Sequence, residues 1–249
     1  MAEIGNYLLL AVVGAVSGFL NVTAGGGSLL TLPLLIFLGL PAATANGTNR
    51  IAILIQNIFA TVRFHQFKVI PRGVTLITAI PAIFGALVGA QLALNIDELL
   101  FKRILALTLV VVLGPMFFGL GPKPVESTFT LSLAKKVFLS AAFFGVGIYG
   151  GFIQGAVGFL IILALTLAGY DLVRTNALKV LIVLIFTPFA LFIFIVNGQV
   201  DYLKGFILAA GSAIGAWLAT RVVVEKGHNF IRWLVIVTMV AFAAKLFLD

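Results

Sequence analysis

Ten apolar runs divide this chain, and little of it lies outside them. They fall at about residues 7–22, 28–40, 45–64, 73–94, 102–120, 133–153, 159–168, 174–196, 202–224 and 230–248. A membrane-spanning helix needs roughly 20 residues at 1.5 Å each. Eight runs reach or approach that length; 28–40 and 159–168 do not. The chain is 62% hydrophobic and only 10% charged, whereas a soluble domain carries about 25% charged residues. Lipid must therefore be part of its solvent. A helix satisfies its own backbone hydrogen bonds inside hydrocarbon, and a membrane β-barrel would show short alternating segments instead of these continuous runs. The expected fold is an all-α integral membrane protein.

Each short run follows a long one across a glycine-rich break. The first break is Asn21-Val-Thr-Ala-Gly-Gly-Gly-Ser28 and the second is Gln154-Gly-Ala-Val-Gly158. Their corresponding places point to a duplication. With an offset of 133, Gly18-Phe19 falls on Gly151-Phe152, Asn21 on Gln154 and Gly25 on Gly158. After a three-residue gap, Asn46 falls on Asn176 and Asn49 on Lys179; further on, Gly85 matches Gly211 and Gly89-Ala90 matches Gly215-Ala216. The expected halves are residues 1–121 and 133–249, joined by 122–132, each with about four spanning helices and one short half-helix. Paired short, glycine-interrupted segments in two halves are the sequence mark of a transporter binding site.

Charge decides how the halves are oriented. If each long-plus-short pair returns the chain to its starting side, each half reverses an odd number of times and the repeats are inverted. With the N-terminus outside, the inside loops hold Arg63, Lys68, Arg72, Lys123, Lys135, Lys136, Arg174, Lys179, Arg221, Lys226 and Arg232. Lys102, Arg103, Lys204 and Lys245 stay outside. A parallel arrangement would put Arg221, Lys226 and Arg232 outside, against the positive-inside rule. The expectation is a multi-pass inner-membrane protein with inverted repeats and both termini outside. The net charge of +8 then belongs to loops, and nucleic acid is not an expected partner. Residues 1–6 contain Glu3 and no basic residue, so no cleavable signal is expected.

Polar residues inside the runs carry the functional signal. At about 100° per residue, Asn46, Asn49, Arg50, Asn57 and Thr61 fall within roughly 60° of one line on a helix. Asn176, Lys179 and Thr187 form a similar line in the second half. Asn, Gln and Thr in membrane helices often serve interhelical hydrogen bonds, and Gln56, Asn57 and Thr187 fit that role. Arg50 lies about five residues inside its run among other polar groups, which makes it a functional residue by default. Lys179 fits either a substrate contact or a positive-inside anchor. Isolated glycines such as Gly14 and Gly85 fit close helix approach. The run Gly25-Gly26-Gly27 before Ser28 instead leaves backbone N–H groups at the positive end of a helix, which is a ready anion site.

Other chemistries find no support. There is no cysteine, so disulfides and thiolate metal sites are excluded. His65 and His228 fall in loops without ligands at metal spacing, and neither metal nor cofactor is expected. Asp97, Glu98, Glu126, Asp171, Asp201 and Glu225 also fall in loops. No Ser/His/Asp arrangement or carboxylate pair suggests hydrolysis, and no Gly-Lys-Ser/Thr follows a glycine loop as a nucleotide site requires.

The stretch Gly18-Phe-Leu-Asn-Val-Thr-Ala-Gly-Gly-Gly-Ser-Leu-Leu-Thr-Leu-Pro33, with Gly39-Leu-Pro and Ala45-Asn-Gly-Thr-Asn-Arg50, resembles the TauE/SafE sulfite-exporter family. Gly150-Gly-Phe-Ile-Gln-Gly-Ala-Val-Gly158 with Thr175-Asn-Ala-Leu-Lys179 is similar to that family's second repeat. The resemblance covers essentially the whole chain. It implies a bacterial or archaeal inner-membrane permease for sulfite, sulfoacetate or related organosulfonates.

The expected site therefore seats a small anion on the Gly25–Ser28 amides and Arg50, with Asn21, Asn49 and Gln154 orienting it. Thr23, Gly26, Gly27, Asn46, Asn57, Gly155, Gly158, Asn176 and Lys179 complete the candidate set. The partners are this anion and the lipid bilayer, with a homo-oligomer left open. Alternating access is the expected mode; an anion channel and a membrane-embedded enzyme or assembly subunit are the rivals.

Overall fold

The structure is a computed structural model that describes residues 2–71, 73–101, 103, 104, 107 and 132–248, with side chains as far as Lys226. The expected run 102–120 and the connecting segment 122–132 lie almost wholly outside the described residues. The helices are α1 (Ala2–Thr23), α2 (Ser28–Phe37), α3 (Ala42–Gln66), α4 (Thr75–Leu94), α5 (Leu133–Phe152), α6 (Val157–Leu167), α7 (Leu172–Val196) and α8 (Tyr202–Leu248). No strand occurs among the described residues.

Among the described residues, five helices are long and apolar enough to cross a membrane: α1, α4, α5, α7 and the Tyr202–Lys226 part of α8. Helix α3 is 25 residues long, like α7, but carries Asn46, Asn49, Arg50, Gln56 and Asn57. The short α2 and α6 have 10 and 11 residues. The outward faces are apolar: Leu8, Phe84, Phe192 and Phe206 are all more than half exposed, as side chains that meet lipid should be.

One expectation changes. The runs 202–224 and 230–248 are one continuous helix of 47 residues, not two spans. The charged Glu225-Lys226-Gly227-His228-Asn229 stretch reads as a loop, but it has no proline, and one glycine in a helix costs only about 1 kcal/mol. The polar stretch of α3 is enclosed. Residues 45–53 are buried on every face, because α3 packs against both α7 and α8.

Helix ends are capped where loops allow it. Asp171 Oδ1 accepts from the Val173 and Arg174 N–H groups at 3.0 Å each, opening α7. Asp201 Oδ1 does the same for the Lys204 N–H at α8 (3.0 Å), and Ser132 Oγ for the Lys135 N–H at α5 (3.3 Å).

Two helix pairs, α1 with α8 and α4 with α5, form the closest packing in the bundle. Glycines four residues apart make it. A Cβ on Gly14 or Gly18 would overlap the backbone carbonyl of Leu208 or Ser212, and one on Gly211 or Gly215 the carbonyl of Ala11 or Ala15. In the other pair, Gly147 and Gly151 press on Ala82 and Ala86, and Gly85 and Gly89 on Phe144 and Ile148. Residue numbers rise together in both pairs, so each pair runs parallel. Each contact also has a counterpart at the sequence offset: Gly18 on Ser212 corresponds to Gly151 on Ala86. Such close approach gives van der Waals contact where lipid supplies no hydrophobic drive.

Gly18→Ala and Gly151→Ala should each destabilise the purified protein by about 1–3 kcal/mol, because an inserted methyl overpacks a backbone contact. Gly145→Ala, in the same helix as Gly151 but with nothing within 4 Å, should be neutral or slightly stabilising. Thermal unfolding in detergent tests this; equal melting of all three variants would contradict the packing argument.

Candidate functional site

The two glycine-rich breaks meet in the interior. Gly25 adopts φ +87°, and its Cα lies against the backbone of Gly158; a Cβ on either residue would come within 2.6 Å of the other's backbone. Only glycine can hold both the left-handed turn and this approach. In the second break the left-handed position is Ala156, φ +60°. Gly26 lies beside the Phe159 ring, and Gly27 against the Ser17 carbonyl, so α2 folds back along α1.

Breaking α1 and α5 leaves C-terminal carbonyls without helical partners, and each end is closed by a cation from the other half. Arg50, fully buried on α3, donates through Nη1 to the Gly150 carbonyl (3.0 Å) and Gln154 Oε1 (3.1 Å). Its Nη2 donates to the Gly151 carbonyl and to Asn46 Oδ1 (3.4 Å). Asn46 Nδ2 donates to the Phe152 carbonyl (2.7 Å). Reciprocally, Lys179 on α7 donates through Nζ to the Asn21 carbonyl (2.8 Å), the Val22 carbonyl (3.0 Å) and Asn176 Oδ1. Both cations thus lie at the negative ends of helix dipoles. The Arg50 guanidinium also stacks on the Phe194 ring at 4.7 Å, while its Nε is buried without a partner. Among the described residues neither cation is paired with a carboxylate.

A small cavity of about 20 Å³ separates the breaks, room for about one water. Of the expected site residues, Asn21, Gly25, Ser28, Asn57, Gln154, Gly158 and Lys179 line it. Gln56 lines it too; its sequence position alone reads as packing, and its one signal is the place beside Asn57 in a polar run. Asn21 organises this wall. Its Oδ1 accepts from the Ser28 N–H (3.2 Å), and its Nδ2 donates to Ser28 Oγ (3.3 Å) and Gln56 Oε1 (3.4 Å). Opposite, Gln154 Nε2 donates to Thr187 Oγ1 (2.7 Å), which ties the cavity wall to Arg50 through Gln154.

The remaining expected residues lie off the cavity. Thr23 bonds its own helix at the Phe19 carbonyl (2.8 Å), and Asn176 bonds the Leu172 carbonyl (3.0 Å) while accepting from Lys179. Asn49 accepts from Thr31 Oγ1 (2.7 Å), with its Nδ2 buried and unpartnered. The Gly155 carbonyl accepts from the Tyr149 hydroxyl (2.6 Å). The row of free amides expected at residues 25–28 is shorter than the sequence implies: the Gly25 N–H donates to the Leu20 carbonyl (2.9 Å) and the Ser28 N–H to Asn21. No group of three His, Cys, Asp or Glu residues comes together among the described residues.

Among the described residues the chain is an all-helical, multi-pass bundle with paired helix breaks and two buried cations, and its family and relatives are membrane transporters or probable ones. More particularly, the chain belongs to the sulfite exporter TauE/SafE family, which it matches over residues 10–246. It is 32% identical over 246 residues to the probable membrane transporter protein YfcA of Escherichia coli (strain K12), covering 97% of this chain and 91% of that one. It is 29% identical to a probable membrane transporter protein of Haemophilus influenzae, covering 97% and 94%. A probable membrane transporter protein, ORF9, of a Sinorhizobium species is 27% identical, covering 100% and 96%. No solved structure matches the chain significantly.

Arg50→Lys keeps the charge but replaces a fork of five N–H donors with an ammonium of three, so the four acceptors that Arg50 serves, Gly150, Gly151, Gln154 and Asn46, cannot all be served. A loss of about 1–3 kcal/mol in stability is expected, the cost of a buried acceptor left unsatisfied. Denaturant titration of the purified variant measures it. Wild-type stability in Arg50→Lys would show that the full guanidinium fork is not what this site requires.

Proposed function

We propose that this chain is a secondary transporter that exports small sulfur-containing anions, such as sulfite or sulfoacetate, across the inner membrane by alternating access. One observation carries the reading: of two buried cations unpaired with any described carboxylate, Lys179 lines the cavity between the breaks and Arg50 reaches its wall through Gln154. An isolated charge in low dielectric is costly. Carbonyl dipoles lower that cost without cancelling the charge, and an arriving anion would cancel it. Lys179, Ser28, Asn21, Gln56, Asn57 and Gln154 line the seat, and Arg50 acts through Gln154. The sulfur in the substrate comes from the family's name, sulfite exporter, and from the sequence resemblance.

The cavity is smaller than such an anion, so this form is an occluded state that opens before loading. The cations supply a rationale for the opening. An anion that draws Arg50 or Lys179 from its carbonyls loosens the cap on one broken helix at a time. The reciprocal glycine contacts support reading the halves as inverted repeats, and inversion lets the same movement open either side. The distribution of basic residues supports placing the N-terminus outside; as one unbroken helix parallel to α1, α8 then ends inside rather than outside, so a reporter that works only in the cytoplasm, fused after Asp249, is expected to be active, and its silence would overturn the orientation.

Apart from Glu225, which is exposed in mid-α8 and paired with Arg221, the described carboxylates lie near helix ends or in loops, and none of them lines the cavity, so no proton relay of the usual kind is built into the site. The membrane potential is then the driving force, worth about 2.3 kcal/mol per charge at 100 mV. Proteoliposomes loaded with sulfoacetate, with equal pH on both sides and a potassium–valinomycin potential, should show flux that follows the potential. Lys179→Gln should carry none. Flux that ignores the potential but follows an imposed pH gradient would refute this energetics, and wild-type flux in Lys179→Gln would remove that cation from the anion seat. Currents far above carrier turnover would favour a channel.

A further inference from the structure

A second concavity lies on the lipid-facing side, away from the cavity between the breaks. It runs between α3 and α8, has a volume of about 630 Å³, and is lined by apolar side chains that include Ile55, Phe59, Phe206 and Trp217. Ala209 and Ala213 line it as well and are buried, so the slot is cut where α8 carries no bulk. From Phe206 to Trp217 it extends about 16 Å at 1.5 Å per helical residue, roughly half the ~30 Å hydrocarbon thickness and so the depth of one leaflet.

A cation closes one end of this slot. Arg63 lies one turn beyond Phe59 on α3. Its guanidinium carbon sits 4.6 Å from the Trp217 ring centroid and 5.2 Å from that of Phe67. Trp217 in turn packs edge-on against Phe59, centroids 6.4 Å apart. The guanidinium donates through Nη1 to Gln66 (3.1 Å), and its Nε is buried with no partner. No described carboxylate pairs with it. Arg221, one turn beyond Trp217 on α8, is already paired with Glu225 at 2.6 Å.

We propose that this groove binds an anionic phospholipid, with one acyl tail lying between α3 and α8 and the headgroup phosphate on Arg63. The shape, the chemistry and the order of the parts agree. An apolar slot one leaflet deep ends in a tryptophan, the side chain suited to the interface between tail and headgroup. Next comes an arginine with an unused donor, whose planar fork matches phosphate oxygens. A second copy of the chain would bring an apolar helix face to the slot and leave that donor unmet. The proposal does not depend on which anion the chain transports.

The chain has two tryptophans, so Trp233→Phe leaves Trp217 as a reporter inside the groove. The variant is reconstituted in phosphatidylcholine with rising fractions of brominated-tail phosphatidylglycerol or brominated-tail phosphatidylcholine, and Trp217 fluorescence is followed. Half-quenching is expected at about fivefold lower mole fraction for phosphatidylglycerol, the preference that one basic residue near anionic lipid confers. Arg63→Gln in the same background should erase the difference. Equal quenching by both lipids, or a preference that survives Arg63→Gln, overturns the proposal. So does quenching by neither lipid in a protein that cross-links as a dimer, since a second copy then fills the groove. If Trp233→Phe does not fold, phosphatidylglycerol retained through purification is measured instead. Wild type should keep it and Arg63→Gln should lose it; equal content overturns the proposal.

Discussion

The capping of broken helices by buried cations is the interaction on which the interior depends. A helix that stops inside hydrocarbon exposes carbonyls that neither water nor lipid can satisfy. Arg50, Asn46 and Lys179 answer that need across the halves, from α3 to the end of α5 and from α7 to the end of α1. Without them the breaks would be untenable. Without the breaks the cations would have no reason to be buried. The same hydrogen bonds that stabilise the closed form therefore hold positive charge next to the cavity.

Small residues make this geometry reachable. Gly25 and Gly158 touch backbone to backbone, which draws both breaks to one point and brings Asn21, Gln56 and Gln154 around one cavity. The glycine pairs of α1 with α8 and α4 with α5 set the frame, leaving α3 and α7 to carry the polar residues inside it. Polarity is concentrated in two helices, and their surroundings are packed closely enough to tolerate it.

Much of this was legible in the sequence. The breaks and the close-approach role of Gly14 and Gly85 follow from glycine placement in apolar runs. Asn21, Ser28 and Lys179 stand out because polar atoms are expensive there. What Arg50 touches was not legible, since its carbonyl partners lie on α5 about 100 residues away and backbone acceptors leave no mark in side-chain pattern. The repeat alignment sets Lys179 against Asn49, yet the residue that reciprocates its role is Arg50, one position on; a helix can satisfy the same carbonyls from neighbouring positions with a longer side chain. The unbroken α8 was missed because a charged stretch reads as a loop even when nothing in it stops a helix. Thr187, read as an interhelical hydrogen-bonding residue, takes that part with Gln154.

The glycine contacts also bear on how the protein is made. Each close-packed pair joins one helix from each half, so neither half can complete its packing alone. The α4–α5 pair closes early, since Gly85 needs only Phe144. Gly14 and Gly18 await Leu208 and Ser212, each 194 residues further along the chain. At roughly 5–20 residues per second of synthesis, α1 sits in the bilayer for about 10–40 s with its glycine face against lipid. Helix α1 is thus matched to a helix made much later, and for that interval the nascent protein is a membrane-inserted chain still missing this partner.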